Sequence, residues 1–215
     1  VSNDQFRFVF PGPNLTFEEQ EKCLEAIKTL EPAPDFLIAS GSLPPGVPTD
    51  FYARVADLAM ELGAKLFLDT SGDALRNAGR KGIYLIKPNL RELSEFVGRE
   101  LATEEDRIAA GRQMISEGRA EVVVLSLGAE GALLITADVA EYFPALEVPI
   151  RSAVGAGDSM LGGIVYGLAQ GKPLRDAVLL GMAAGAAALM TEGTELNRRE
   201  DTERLYHEML VQAGQ

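Results

Sequence analysis

The sequence predicts an α/β fold: a doubly wound, mostly parallel sheet with helices on both faces. Three observations predict it. Over the first 127 residues, short apolar runs of strand length alternate with helix patterns, and runs that are apolar throughout suit strands buried on both faces of a parallel sheet. The helix patterns carry recognisable start signals. After residue 127 the alternation gives way to a hairpin pattern and three helical segments in succession. The 215 residues are 47% hydrophobic, enough for one sizeable core. With no repeat and no linker to divide them, 1–215 reads as a single α/β core.

The elements follow in order. The opening "VSNDQFRFVFPG" has no initiator methionine and already alternates polar and apolar residues like a strand, as a fragment or a processed product would. Thr16 stands three residues before Glu19, and Thr103 three before Asp106, the spacing of a capping box. "FLIAS" (36–40), "KLFLD" (65–69), "IYLIK" (83–87) and "EVVVLSL" (121–127) are the strand candidates. A helix is expected over about 49–62 from its apolar periodicity. "GALLITADVAEYFPALEVP" predicts an antiparallel hairpin turning near Ala137 and Asp138. Helices are then expected over roughly 157–170, 174–190 and 200–213.

Composition excludes several function classes. A net charge of −12 with no basic stripe argues against a nucleic-acid partner. The longest apolar run, "AVLLGMAAGAAALM" (177–190), is too short to span a membrane. One cysteine, Cys23, and one histidine, His207, cannot build a Cys/His zinc site. A single cysteine and no secretory signal fit a reducing cytoplasm.

Ligands of open α/β sheets bind beyond the carboxyl ends of the strands. That rule points to Gly41–Ser42, Asp69, Lys87–Asn89, Ser126–Gly128 and the glycine loop "RSAVGAGDSM" (151–160). In the loop, Gly155, Ala156 and Gly157 let the backbone approach a ligand closely, and a helix starting there would aim unpaired amides and its dipole at an anion. Asp158 would project beside that anion. The same residues also suit plain helix capping. Asp158 occupies the lysine position of a Walker loop, and Met160 a glycine position of the dinucleotide fingerprint, so neither motif applies. Ser159 lacks the flanking glycines of a hydrolase elbow, and His207 lies on a polar helix.

The other loops each allow two readings. Asn89 and Glu92 share a helix face, as an N-cap with its answering carboxylate or as a holder of hydrated magnesium. "SLGAEGA" (126–132) reads as a tight turn or as a shelf for a nucleotide. Asp69 reads as a cap or as part of a metal's outer shell.

Taken together, "SGSLPPGV", "DTSGDAL", "KPNLREL", "VVLSLGAEGA", "AVGAGDSMLGG" and "AAGAAALMTEGT" resemble, in order and approximate spacing, the ribokinase-like sugar kinases of the PfkB family. The resemblance covers about residues 5–205. Within the family, "QFRFVFPGP" followed by "SGSLPPGV" is most similar to the minor bacterial 6-phosphofructokinases. Fructose-1-phosphate and tagatose-6-phosphate kinases share much the same motifs.

The resemblance implies an ATP-dependent sugar-phosphate kinase acting on fructose 6-phosphate, with magnesium and potassium as cofactors. Asp158 would be the base that deprotonates the acceptor hydroxyl, with Gly155, Ala156 and Gly157 donating amides to the transferred phosphoryl group. Asn89 and Glu92 would arrange magnesium and the phosphates, with Lys87 nearby and Asp69 in the outer shell. Ser126, Gly128 and Gly131 would contact the nucleotide, and Ser42 the phosphosugar. Ser152, Val154, Ala188, Thr191 and Gly193 align with a monovalent-cation loop. A homodimer is expected by analogy.

The family's opening strand, its Gly-Gly-x-x-x-Asn sugar motif and its lid strands have no counterpart here. The expectation is therefore a chain with its lid largely absent, residues 1–12 being the remnant of one lid strand, and inactive by itself. The reading from a different class is a catalytically silent α/β binding or assembly module.

Overall fold

The computed structural model describes residues 12–214. Six strands form one sheet in sequential order: β1 (Phe36–Ser40), β2 (Lys65–Asp69), β3 (Ile83–Ile86), β4 (Val122–Ser126), β5 (Gly131–Ile135) and β6 (Ala140–Pro144). β1 to β4 run parallel, while β5 and β6 are antiparallel. The predicted hairpin is thus present, with its turn over residues 136–139. The expected lid remnant falls almost entirely on residues 1–11, outside the described residues.

The connections set the layers. α1 (Phe17–Lys28), α2 (Phe51–Leu62), the short α3 (Gly72–Arg76), α4 (Leu90–Val97) and α5 (Glu104–Ser116) all cover one face. That face presents Leu66, Leu68, Val123, Leu125, Leu133 and Ile135. The alternate residues Phe67, Val122, Val124, Ala132 and Leu134 line the other face, as the two-residue period of a strand requires. α6 (Ala156–Ala169), α7 (Leu174–Leu189) and α8 (Arg199–Gln212) cover it.

Local sequence accounts for the helix boundaries. The capping boxes of Thr16 with Glu19 and of Thr103 with Asp106 both form, and αL glycines at 63 and 98 end α2 and α4. α7 lies between α6 and α8 and is buried along most of its length. α6 meets it glycine to glycine: a Cβ on Gly163 would stand 2.8 Å from the Cα of Gly181. In β3 an extra residue, Tyr84, breaks the register between Leu66 and Phe67, so Tyr84 and Leu85 both pack toward the second face. Such a bulge re-aims the end of its strand.

Candidate active site

Because β1 to β4 are parallel, their carboxyl ends share one edge, and the loops singled out in the sequence meet there. Ser40 pairs in register with Asp69, and the Gly41 amide donates to the Asp69 carbonyl at 2.9 Å. Lys87, just past β3, turns its ammonium to Asp69 Oδ2 at 2.9 Å. Its side chain is only 6% exposed, and that of Asp69 18%. Burying an ammonium requires a partner of this kind. Ser126 bridges to Asn89, its amide donating to the Pro88 carbonyl at 2.9 Å. Gly128 follows in a single 3₁₀ turn that leads to Gly131 at the start of β5.

Asn89 is the N-cap of α4. Its Oδ1 accepts from the Glu92 amide and Glu92 Oε2 accepts from the Asn89 amide, both at 2.9 Å. The capping reading is therefore realised, and it occupies one carboxylate oxygen of Glu92. The magnesium reading needs only a single further oxygen, because magnesium binds through one or two carboxylates together with phosphates and water. Oε1 of Glu92 makes no hydrogen bond among the described residues. The donor set fits the ion.

The glycine loop delivers α6 to the same edge. Gly155 is the N-cap at φ +82°, a left-handed conformation that glycine adopts without strain. Asp158 lies in the first turn but does not cap the helix, the plain capping that the loop's residue types also allowed, because Gly155 holds the N-cap position with no side-chain bond. Asp158 is the third residue in, and its Oδ1 accepts from Ser40 Oγ at 3.1 Å. The first intrahelical bond runs from the Ser159 amide to the Gly155 carbonyl at 2.8 Å, leaving the amides of Ala156, Gly157 and Asp158 facing out of the helix end. Beneath them lies the ion pair: a Cβ on Gly157 would sit 3.3 Å from Lys87 Nζ and 3.9 Å from Asp69 Oδ2. One carboxylate, three free amides and a buried ammonium are thus assembled at the positive end of a helix, an arrangement that receives anions.

The five cation-loop residues form a second cluster at the base of this loop. Ser152 Oγ donates to the Gly193 carbonyl at 2.7 Å and accepts from the Val154 amide at 3.2 Å. Thr191 Oγ1 lies 2.8 Å from the Ala188 carbonyl and 2.9 Å from that of Glu195. Ser152 and Thr191 are buried. Neutral hydroxyl and carbonyl oxygens of this type suit a monovalent cation. Ser42 stands apart: it is exposed on the turn after β1 and makes no side-chain bond to these groups.

Sequence reasoning missed several residues. The buried Tyr52 of α2 and Thr70 after β2 both donate to the Gly41 carbonyl, at 2.9 and 2.8 Å. Burial holds the Tyr52 phenol above its ordinary pKa; the Thr70 hydroxyl works against this and the Asp69 charge adds to it. An open cleft of about 740 Å³ also runs from Val154 and Asp158 along α6 to Tyr166 and Leu196. No local pattern announces these contacts, because each joins distant segments.

Comparison with known proteins places this geometry in context. A family model described as pfkB family carbohydrate kinase matches residues 1–201. The chain is 48% identical over 202 residues to ATP-dependent 6-phosphofructokinase isozyme 2 of Mycobacterium tuberculosis, covering 94% of this chain and 59% of the relative. It is 32% identical over 200 residues to 1-phosphofructokinase of Bacillus subtilis, covering 93% of this chain and 65% of that protein. The crystal structure of phosphofructokinase-2 from Escherichia coli in complex with potassium superposes with a TM-score of 0.90 at 37% identity, covering 96% of this chain and 67% of that one. The chain thus spans about three fifths of the length of its M. tuberculosis relative. Matched by the family model over nearly its whole length, with the glycine loop, the Lys87–Asn89 turn and the Ser126 turn gathered on one sheet edge, the chain belongs to the pfkB family of carbohydrate kinases.

Proposed function

We propose that the protein is an ATP-dependent sugar-phosphate kinase that moves the γ-phosphoryl group to a hydroxyl of fructose 6-phosphate. The observation that carries this reading is Asp158 in the first turn of α6, beside three outward amides and above the Lys87–Asp69 pair. Phosphoryl transfer needs positioning and stabilisation of charge on the equatorial oxygens more than covalent chemistry. Asp158 takes the proton of the acceptor hydroxyl, and the amides of Gly155, Ala156 and Gly157, joined by the free Asp158 amide, receive the negative oxygens. Lys87 and Asn89 hold nucleotide phosphates, while Ser126, Gly128 and Gly131 support the nucleotide. Ser42, on the exposed turn, faces the phosphosugar.

Glu92 would hold magnesium, with Asp69 in its outer shell; that ion neutralises phosphate charge when bound. Ser152, Val154, Ala188, Thr191 and Gly193 would hold potassium, an ion named with the E. coli relative. The choice of fructose 6-phosphate rests on the name of the M. tuberculosis relative, and fructose 1-phosphate or a tagatose phosphate is the alternative acceptor. We also propose that the protein self-associates; the E. coli relative is known in a tetrameric inhibited form.

The test is ATP consumption by the complete gene product with fructose 6-phosphate, fructose 1-phosphate, tagatose 6-phosphate and tagatose 1-phosphate, alongside Asp158→Asn. Turnover of one acceptor that is lost in the variant supports the reading. No turnover with any of the four leaves a binding module instead.

A further inference from the structure

We infer that Ser40 is a positioning residue that fixes the orientation of the Asp158 carboxylate, and that Tyr52 and Thr70 fix Ser40. This rests on Asp158 being the base. The Ser40 hydroxyl donates to Asp158 Oδ1 at 3.1 Å across 118 residues of sequence. Oδ2 has no protein partner among the described residues, so one oxygen is tied and the other is left for the acceptor proton.

A single exposed hydrogen bond between free side chains would orient little, because water competes for both groups. Here both ends are anchored before the bond forms. Asp158 sits on the first turn of a helix locked glycine to glycine against α7. Ser40 is the last residue of β1, in register with Asp69, and the residue after it, Gly41, is clamped on both sides. The Gly41 carbonyl accepts from Tyr52 Oη at 2.9 Å and Thr70 Oγ1 at 2.8 Å, and the Gly41 amide donates to the Asp69 carbonyl at 2.9 Å. Both hydroxyl donors are buried. With one bond on the Ser40–Gly41 peptide and two on the peptide that follows it, the Ser40 hydroxyl reaches Asp158 from a fixed origin.

The clamp also links Asp158 to the Asp69–Lys87 pair, since Asp69 supplies both the strand partner of Ser40 and the acceptor for Gly41. The base and the Lys87 ammonium are therefore joined through the paired backbones of β1 and β2, with one side-chain contact at each end, Ser40 to Asp158 and Asp69 to Lys87.

A double-mutant cycle tests this. Ser40→Ala should lower kcat by roughly ten- to hundred-fold, the scale of a misplacement near 1 Å, and leave the KM for ATP unchanged. Ser40→Thr, which keeps the hydroxyl and suits a strand end, should restore most of the rate. In an Asp158→Asn background Ser40→Ala should have no further effect, because its role runs through the carboxylate. The same loss in both backgrounds would overturn the inference. A second measurement does not depend on turnover: in crystal structures, the Asp158 carboxylate should change rotamer in Ser40→Ala, and an unmoved carboxylate refutes the positioning role. Full activity of Asp158→Asn would instead sink Asp158 as the base, and no turnover by the wild type would sink the kinase reading; the crystallographic comparison reports on the Ser40 contact separately from both.

Discussion

Gly162 and Gly163 are neighbours on α6, yet adding a methyl group to each should change stability in opposite directions. Gly162 faces open space, with nothing within 4 Å of a Cβ. Gly163 faces α7, where its Cβ would lie 2.8 Å from Gly181 Cα, 2.9 Å from Ala184 Cβ and 3.1 Å from the Leu180 carbonyl oxygen. Comfortable carbon contacts begin at about 3.5 Å, so the helices would have to part by roughly 0.7 Å. Two of the three atoms belong to backbone and cannot swing aside. With backbone in the way, the upper part of the usual overpacking range applies, about 2–3 kcal/mol, against about 1 kcal/mol gained from the better helix former. Gly163→Ala should therefore destabilise by about 1–2 kcal/mol, whereas Gly162→Ala should stabilise by about 0.5–1 kcal/mol. For a chain of this size, scanning calorimetry should show a melting temperature about 2–8 °C lower for the first and about 1–4 °C higher for the second. A Gly163→Ala protein melting at or above the wild type would refute the close helix contact.

Three further outcomes are expected. Lys87→Met strands Asp69 in a largely buried site; removing one partner of a buried pair costs about 3–5 kcal/mol, and the residual exposure of Asp69 favours the lower end. Urea denaturation should also show Lys87→Met/Asp69→Leu recovering most of that loss. Asp106 is held below the ordinary aspartate pKa, first by the Thr103 amide and then by Arg99. Its stabilising contribution is complete above the unfolded-state pKa and disappears as pH falls through the lowered folded value. The melting-temperature gap between wild type and Asp106→Asn should therefore close as pH falls from above the unfolded aspartate value, about 3.9, through the lowered folded one. Asp158→Asn should reduce turnover by about 10²–10⁴-fold, the usual contribution of a general base, with an unchanged melting profile.

Much of this architecture was legible because its signals are local. Short runs with apolar centres such as "KLFLD" and "VVVLS" have strand length and form buried strands, and the three boxes Thr16/Glu19, Asn89/Glu92 and Thr103/Asp106 all form. The convergence of the loops follows from parallel strands having a common carboxyl edge. What stayed hidden is long-range or too short to carry a period. α3 has five residues, fewer than two turns, and Tyr84 looks like any strand residue until its partner strand fixes the register. Asp158 read as a helix start because its residue type favours caps, but a glycine in the left-handed region took that position. Its bond to Ser40 and the pairing of Lys87 with Asp69 depend on which strands lie side by side.

The sequential strand order has a consequence for synthesis. All crossovers up to β4 stay on one face, so that layer can close as the chain emerges. Among the described residues, the opposite face, with Phe67, Leu85, Val124 and Leu134, takes its helices only from residues 156–212. At ribosomal rates that interval is on the order of 3–10 s. Throughout it, these sheet residues of a nascent chain wait for those helices next to an unfinished glycine loop, and chaperone capture or aggregation would find them there. The segment bearing Asp158 is the same one that ends this exposure, so the candidate catalytic carboxylate arrives with the last layer of the fold.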